Sequence, residues 1–336
     1  MRRPWSGVAL AAVLVGAGVA AWIWVADGRP ESPATGPAAP ASPVVARVPV
    51  PDKPRQLVAD AGELWVVGDA GVHRIDPAAN RVVASIPVGP PNADLGGLGL
   101  SATSVWVPQQ RSELLWRVDR RTSRVRGRVD LGQILYGPVG VATQGDTVWV
   151  ACCGLKYGAR PAGTLLRVDG RRGKVTARVP VPEGPLAVVA GQDAVWVGTA
   201  TGSLLRVDPA TARVVTRVAP PDPRGRIQAL SLAPGVVWAA DTGAGAIRRF
   251  DLASGRFTLA VTAPAPRNLA AGPDGAYVVT DLNQLLSQVD ARTGRRGPTV
   301  PATRLGGVRG IAVEGGAVWV TTGDQVVRLD AARVPS

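Results

Sequence analysis

Histidine occurs once in this sequence, as His73, and cysteine twice, as the neighbours Cys152 and Cys153. Two adjacent cysteines exclude a disulfide framework and any zinc-ligand spacing, and so low a count suits an exported chain. Phenylalanine and tyrosine together number five, so the 46% of hydrophobic residues must pack mainly as Val, Leu and Ala, the makings of a β-rich core. Lysine supplies three of the 38 cations. The formal net charge is +13, nearly all of it beyond residue 43. Such a charge attracts anions non-specifically, and in an Arg-, Ala-, Gly- and Pro-heavy sequence it reads as solubility plus GC-rich coding before it reads as a polyanion site. No Gly-x-Ser-x-Gly elbow is present, which removes a serine hydrolase of that design.

What the sequence does have is a repeat. Trp65, Trp106, Trp149, Trp196, Trp238 and Trp319 each sit in an apolar-Trp core, with Tyr277 in the same slot of a further copy, at spacings of 41, 43, 47, 42, 39 and 42 residues. A sustained period in the forties, with short apolar strands separated by turn residues, is the signature of a β-propeller with one blade per repeat. The expected fold is all-β: a seven-bladed propeller of four-stranded antiparallel blades over residues 44–336. The 336 residues need no second globular domain.

The propeller is preceded by three short regions. Residues 1–7 carry Arg2 and Arg3; residues 8–26 are free of charge until Asp27, with Trp22 and Trp24 near the far end. That run is long enough to span a bilayer, and the tryptophans suit an interface. A small-x-small site exists only at Val19-Ala20-Ala21, so a transmembrane signal anchor is favoured over a cleaved signal peptide. The arginines keep the N-terminus inside, which puts the repeats on the extracytoplasmic side of the cell membrane as a single-pass protein. Residues 27–43, with five prolines, form an extended linker.

Within a repeat the innermost strand is small (Leu186–Ala190, for example), and the Trp strand is apolar at consecutive positions, as a sheet covered on both faces requires. Residues 44–51 match 175–182 at seven of eight positions, and the later copy is an outermost strand. The chain therefore starts with a fourth strand that completes the last blade and closes the ring. Pro49, Pro87 and Pro180 agree, because proline is tolerated at a sheet edge. Asp76, Asp119, Asp169, Asp208, Asp251, Asp290 and Asp330 end the third strands, where a carboxylate accepts backbone N–H bonds and fixes a turn. Arg74, Arg117, Arg167, Arg206 and Arg328, two residues before the Asp, are expected to pair with neighbouring carboxylates. Turns such as Gly272-Pro-Asp-Gly275, Glu314-Gly-Gly316 and Gly191-Gln-Asp193 are expected to supply positive φ.

The pattern x-Val-Trp-Val…Leu-x-Arg-Val-Asp-Pro-x-Thr-Gly-x-Val-Val, together with residues 266–280, resembles the YVTN/NHL/virginiamycin B lyase-like repeat propellers over residues 44–336. The resemblance concerns blade packing, which lyases, scaffolds and sensors share. The lyase activity it implies uses a histidine base, a glutamate and Mg²⁺ on the top face. His73 lies in a strand at a packing position, and no second base of suitable pKa is present, so that activity is disfavoured. A quinone-dependent dehydrogenase remains an alternative on the vicinal Cys152 and Cys153 alone, a pair that forms a disulfide ring in alcohol dehydrogenases of that class.

A ligand is expected over the channel mouth, on the face built by loops between blades and between second and third strands. The loop around 151–163 is the longest of the latter. Candidate ligand-binding residues are Cys152, Cys153, Lys156, Tyr157 and Arg160 with Gln109, Gln110, Arg111, Tyr136, Arg226, Arg267 and Arg309, a set suited to an anionic or sugar-like ligand or an envelope protein. A second basic set, Arg120, Arg121, Arg124, Arg126 and Arg128, lies at the rim, where charge also guards a strand edge and lipid headgroups or wall polymers are the functional reading. No catalytic residue, metal or cofactor is assigned, and nucleic acid is disfavoured by the expected location. The sequence-based expectation is a monomeric, non-catalytic binding or scaffolding module in the cell envelope.

Overall fold

The computed structural model describes residues 42–336 apart from 92, 111, 133–136, 155–161, 273, 281–285, 301–304 and 335–336. The proposed anchor and most of the proposed linker lie outside the described residues. Among those described, no helix is long and apolar enough to cross a membrane.

Seven antiparallel sheets follow one another as blades: 1 (residues 56–87), 2 (99–130), 3 (138–180), 4 (185–218), 5 (227–262), 6 (266–290) and 7 (311–330). The innermost strand of each blade touches that of the next, and blade 7 returns to blade 1. Closure is as expected: Val44–Pro49 pairs antiparallel with Gln325–Asp330 as the outer strand of blade 7. Six sheets have four strands and blade 6 has three. Among the described residues its outer segment pairs with the blade through single bridges, Val289 to Arg296 and Leu286 to Val300. Gly297 and Pro298 interrupt it, since proline offers no ladder donor and glycine no side chain to pack.

The core is seven clusters, one between each pair of neighbouring blades. Every cluster holds the second-strand aromatic of one blade packed against the blade that follows. Trp65 meets blade 2, Trp149 meets blade 4 and Trp319 meets blade 1. The second strands are buried at nearly every described position, as in Ser104–Gln109 and Val195–Thr199, with Glu63 and Thr147 half-buried at their starts, because a neighbouring blade covers each face.

Across from each of the six tryptophans stands an arginine of the third strand: Trp65 pairs with Arg74, Trp106 with Arg117, Trp149 with Arg167, Trp196 with Arg206, Trp238 with Arg249 and Trp319 with Arg328. The expected carboxylate pairing holds for Arg74, which bonds Glu63 at 2.6 Å, Arg249 lies 3.8 Å from Asp251, and elsewhere the pairing is replaced. Guanidinium groups of Arg74, Arg117 and Arg328 lie 5.3–5.7 Å over their tryptophan rings. A ring face attracts a cation without removing it from water on the other side. Three arginines also reach the next blade's turn: Arg74 donates to the Arg120 carbonyl, Arg167 to those of Pro209 and Ala210, and Arg328 to that of Pro77. The motif therefore staples neighbouring blades.

The third-strand aspartates behave as expected. All seven accept backbone N–H bonds from residues two or three positions on. In blades 1–6 the residue four positions on takes positive φ, Gly173, Gly255 and Gly294 in three of them. The Gly315-Gly316 turn also has positive φ at both glycines, whereas the turn at 191–193 has none. The N–H bonds hold the carboxyls of Asp76, Asp119, Asp169, Asp208 and Asp251 below their ordinary 3.8; at Asp290 the Thr293 hydroxyl contributes most. A carboxyl whose folded pKa is depressed stabilises the fold above its unfolded pKa and loses that contribution as pH falls through the folded value. Thermal unfolding followed from pH 7 to pH 2 is thus expected to show a flat Tm down to about pH 4 and a steep fall below it.

Candidate functional site

The innermost strands of blades 3, 4, 5 and 6 carry one extra residue at their start. In blades 3, 4, 5 and 6 the register shifts at Val139, Leu186, Gln228 and Arg267. At the same place in blades 1, 2 and 7, opposite the residue two beyond the Trp, the N–H groups of Arg55, Gly96 and Arg309 donate to the carbonyls of Val67, Pro108 and Thr321. A bulge leaves its residue out of the ladder and re-aims its side chain. Here it lies where the chain enters the channel mouth from the preceding blade, so the mouth carries one such position per blade, bulged in blades 3 to 6.

These positions are not alike. Blades 6, 7 and 1 contribute Arg267, Arg309 and Arg55, blade 5 Gln228, and blades 3 and 4 Val139 and Leu186. The mouth is cationic on one arc and apolar on the facing arc. Arg55 is engaged, with ion pairs to Asp69 and, at 3.4 Å, to Asp94, while its carbonyl accepts from Thr321 Oγ1. Arg267 and Arg309 are exposed. The Asn268 amide donates to the Arg309 carbonyl at 3.4 Å and ties blades 6 and 7 together beside them.

The remaining sequence candidates are placed as follows. Arg226 is half-buried, with its N–H on Asp241 Oδ1 at 2.8 Å and its Nε on Gln228 Oε1 at 3.3 Å. Cys153 is an electrostatic neighbour of Arg226; burial raises its thiol pKa and the guanidinium opposes that. Cys152 and Cys153 are free thiols within strand Thr147–Gly154, where they pair with Thr164 and Gly163, so they extend the sheet instead of standing in a loop. Burial pushes the Cys152 thiol up to about 12, a packed side chain with almost no thiolate at neutral pH. Gln109 is buried and its Oε1 accepts from Trp116 Nε1 at 3.0 Å. The Gln110 N–H donates to the Asp94 carbonyl, and its own carbonyl comes so close to Gly137 that a Cβ there would sit 1.7 Å away. Arg111, Tyr136, Lys156, Tyr157 and Arg160 lie outside the described residues.

Of the rim arginines, Arg120 is buried and bonds Asp60, Glu63 and the Ser101 carbonyl, each at 2.8 Å. Burial raises the Glu63 pKa, but hydrogen bonds from Trp65 and Arg120 and the charges of Arg120 and Arg74 outweigh it, and the carboxyl ends below 4.5. Arg126 pairs with Asp119 and Arg128 lies over Trp116. Arg121 and Arg124 are exposed. His73 is buried, with Nδ1 2.9 Å from Ser85 Oγ and Nε2 3.6 Å from Asp52 Oδ2. Burial is the largest influence on the imidazole and lowers its pKa, against the opposing charge of Asp52. Its partners are an outer-strand hydroxyl and a crossover carboxylate, and among the described residues no three His, Cys, Asp or Glu side chains gather to hold a metal ion. A histidine, glutamate and Mg²⁺ centre does not fit these residues. The bulge arc was missed in the sequence because one inserted residue leaves no trace in a period-two pattern; Arg267 and Arg309 were found through their loops, while Arg55 and Gln228 were not.

No family model matches the chain, and no curated protein matches its sequence. Among solved structures it is similar to virginiamycin B lyase from Staphylococcus aureus, with a TM-score of 0.70 and 16% identity over 85% of this chain and 98% of that one. Hydrazine synthase of Kuenenia stuttgartiensis gives a TM-score of 0.68 and 14% identity over 84% and 96%. The resemblance read from the repeats therefore holds for the fold, a virginiamycin B lyase-like β-propeller.

Proposed function

We propose that the chain is a membrane-anchored, extracytoplasmic propeller that binds an anionic or sugar-like ligand, or an envelope protein bearing one, over its channel mouth without transforming it. The observation that carries this reading is the arc of mouth arginines. Arg267 and Arg309 stand exposed at equivalent positions of adjacent blades. Each guanidinium carries two parallel N–H donors matched to carboxylate or phosphate. His73, the residue best suited to act as a base, is buried inside blade 1 and bonded to Ser85. The anchor reading rests on the uncharged run at 8–26 behind Arg2 and Arg3. An enzyme acting at the mouth, lyase-like or quinone-dependent, is the rival reading, and the likeness to virginiamycin B lyase lends it the fold alone.

The test is capture from envelope extract by wild-type protein beside Arg267→Ala/Arg309→Ala, at low and high salt. A discrete partner retained at 0.5 M salt by the wild type and lost by the double variant is the expected result. Diffuse capture, equal in both and abolished by salt, would reduce the arc to non-specific charge.

A further inference from the structure

Blade 2 keeps the arginines of its neighbours and lacks their carboxylates. In blade 1 the residue two before the tryptophan is Glu63, which bonds the motif arginine Arg74 at 2.6 Å. In blade 2 it is Ser104, and its Oγ accepts from Arg117 Nε at 2.9 Å. In blade 3 the residue three before the tryptophan is Asp146, which bonds Arg171, two beyond the third-strand Asp, at 2.6 Å. In blade 2 the same two positions hold Thr103 and Arg121. Among the described residues the terminal nitrogens of Arg117 have no hydrogen-bond or ion-pair partner, although the guanidinium lies over Trp106. Arg121 has none either, and its electrostatic neighbour is Asp119.

Both arginines line one open cleft of about 1040 Å³ where blades 1, 2 and 3 meet. The cleft lies among the turns at 60–63, 100–104, 119–124 and 144–147, which join first to second and third to fourth strands, so it opens on the face opposite the channel mouth. Every carboxylate in its lining is already matched. Arg120 bonds Asp60 and Glu63, Arg74 bonds Glu63, Arg126 bonds Asp119 and Arg171 bonds Asp146. Arg120 is itself buried and tied to the Ser101 carbonyl, which fixes that wall. The charge left over in the cleft is that of Arg117 and Arg121, beside the exposed Thr103.

We infer that this cleft binds a phosphate monoester, its phosphate on the guanidinium groups of Arg117 and Arg121. A phosphate monoester carries close to two negative charges at neutral pH, which is what two unmatched cations balance. Guanidinium N–H donors fit phosphate oxygens in parallel pairs. Arg117 is held before any ligand arrives, by Ser104 at Nε and by the Trp106 ring below, so little side-chain freedom is lost on binding. The site is independent of the mouth reading.

The probe is glycerol 1-phosphate, titrated by isothermal calorimetry into full-length Arg267→Ala/Arg309→Ala protein, so that the mouth arginines take no part. Its counterparts are glycerol and glycerophosphoglycerol, a diester with one charge and the headgroup of an anionic lipid. The protein is expected to bind one equivalent of the monoester saturably, the diester at least about tenfold more weakly, the order expected for losing a hydrogen bond between charged groups, and glycerol not at all. Adding Thr103→Asp gives blade 2 the acid of blade 3 and is expected to weaken the monoester by a similar factor. Thr103 is in an exposed turn, so circular dichroism is expected to be unchanged. Arg121→Gln, also exposed, is expected to weaken the monoester in the same direction. Arg213→Gln/Arg256→Gln removes two exposed cations from the outer strands of blades 4 and 5 and is expected to leave the affinity as it was. Absence of saturable binding, a diester held as tightly as the monoester, unchanged affinity in Thr103→Asp, or equal weakening by Arg213→Gln/Arg256→Gln would each overturn the inference.

Discussion

Removing residues 1–50 is expected to lower the melting temperature by on the order of 10 °C relative to removing residues 1–41, and to make the protein aggregate on heating. The two deletions differ by residues 42–50: Ser42, Pro43, the strand Val44–Pro49 and Val50. Val48 and Val50 are 1% and 3% exposed in the cluster that joins blade 7 to blade 1, and burying two valines contributes roughly 3–6 kcal/mol. The backbone adds to this. Without the strand, the ladder groups of Gln325–Asp330 face solvent as an unpaired edge, which invites pairing with another molecule. Circular dichroism melts with light scattering check the point. Equal melting of the two deletions would mean that the ring is held closed by its inner strands alone.

Asp241→Ala is the point substitution with the largest expected effect. Asp241 is wholly buried at the end of the second strand of blade 5, where it accepts N–H bonds from Arg226 and Ala244 and bonds buried Arg248 at 2.8 Å. Removing one partner of a buried ion pair leaves the other charge uncompensated, at a cost of roughly 3–5 kcal/mol. Asp241→Leu/Arg248→Leu removes both charges and is expected to regain a substantial part of that loss. Urea denaturation of the wild type, Asp241→Leu, Arg248→Leu and the double variant gives the coupling directly. A single variant within about 1 kcal/mol of wild type would place the pair in effective contact with water. Arg226 loses its anchor in Asp241→Ala, so the same variant also loosens the mouth between blades 4 and 5.

Much of the fold was legible because its determinants are local and repeated. A tryptophan every forty-odd residues, small inner strands and an Asp at each third-strand end each have one structural meaning. The copy of 175–182 at 44–51 announced closure before any pairing was known. Blade 6 was over-read, since Gly297 and Pro298 turn a fourth strand into two isolated bridges. The arginine motif was half-read. That Arg and Asp share a strand face is a matter of spacing, but that the guanidinium lies on the tryptophan and reaches the next blade depends on the register between strands. Cys152 and Cys153 looked like loop residues because the sequence does not mark where a hairpin ladder ends; here it runs on to Gly154.

The position at the start of each inner strand, bulged in blades 3 to 6, has a consequence for how such a ring changes its binding preferences. Because such a residue is outside the ladder, its side chain can be exchanged without altering a strand pair; Arg55, which also bonds Asp94 of the next blade, is the exception. The mouth is in effect a seven-letter word written on an invariant frame, reading Arg, Gly, Val, Leu, Gln, Arg, Arg from blade 1 to blade 7. On the function proposed above, stability and recognition are stored largely at separate addresses. Two propellers with nearly identical blades can differ entirely in the charge and shape of what they hold, and likeness of blades then carries little information about likeness of ligand.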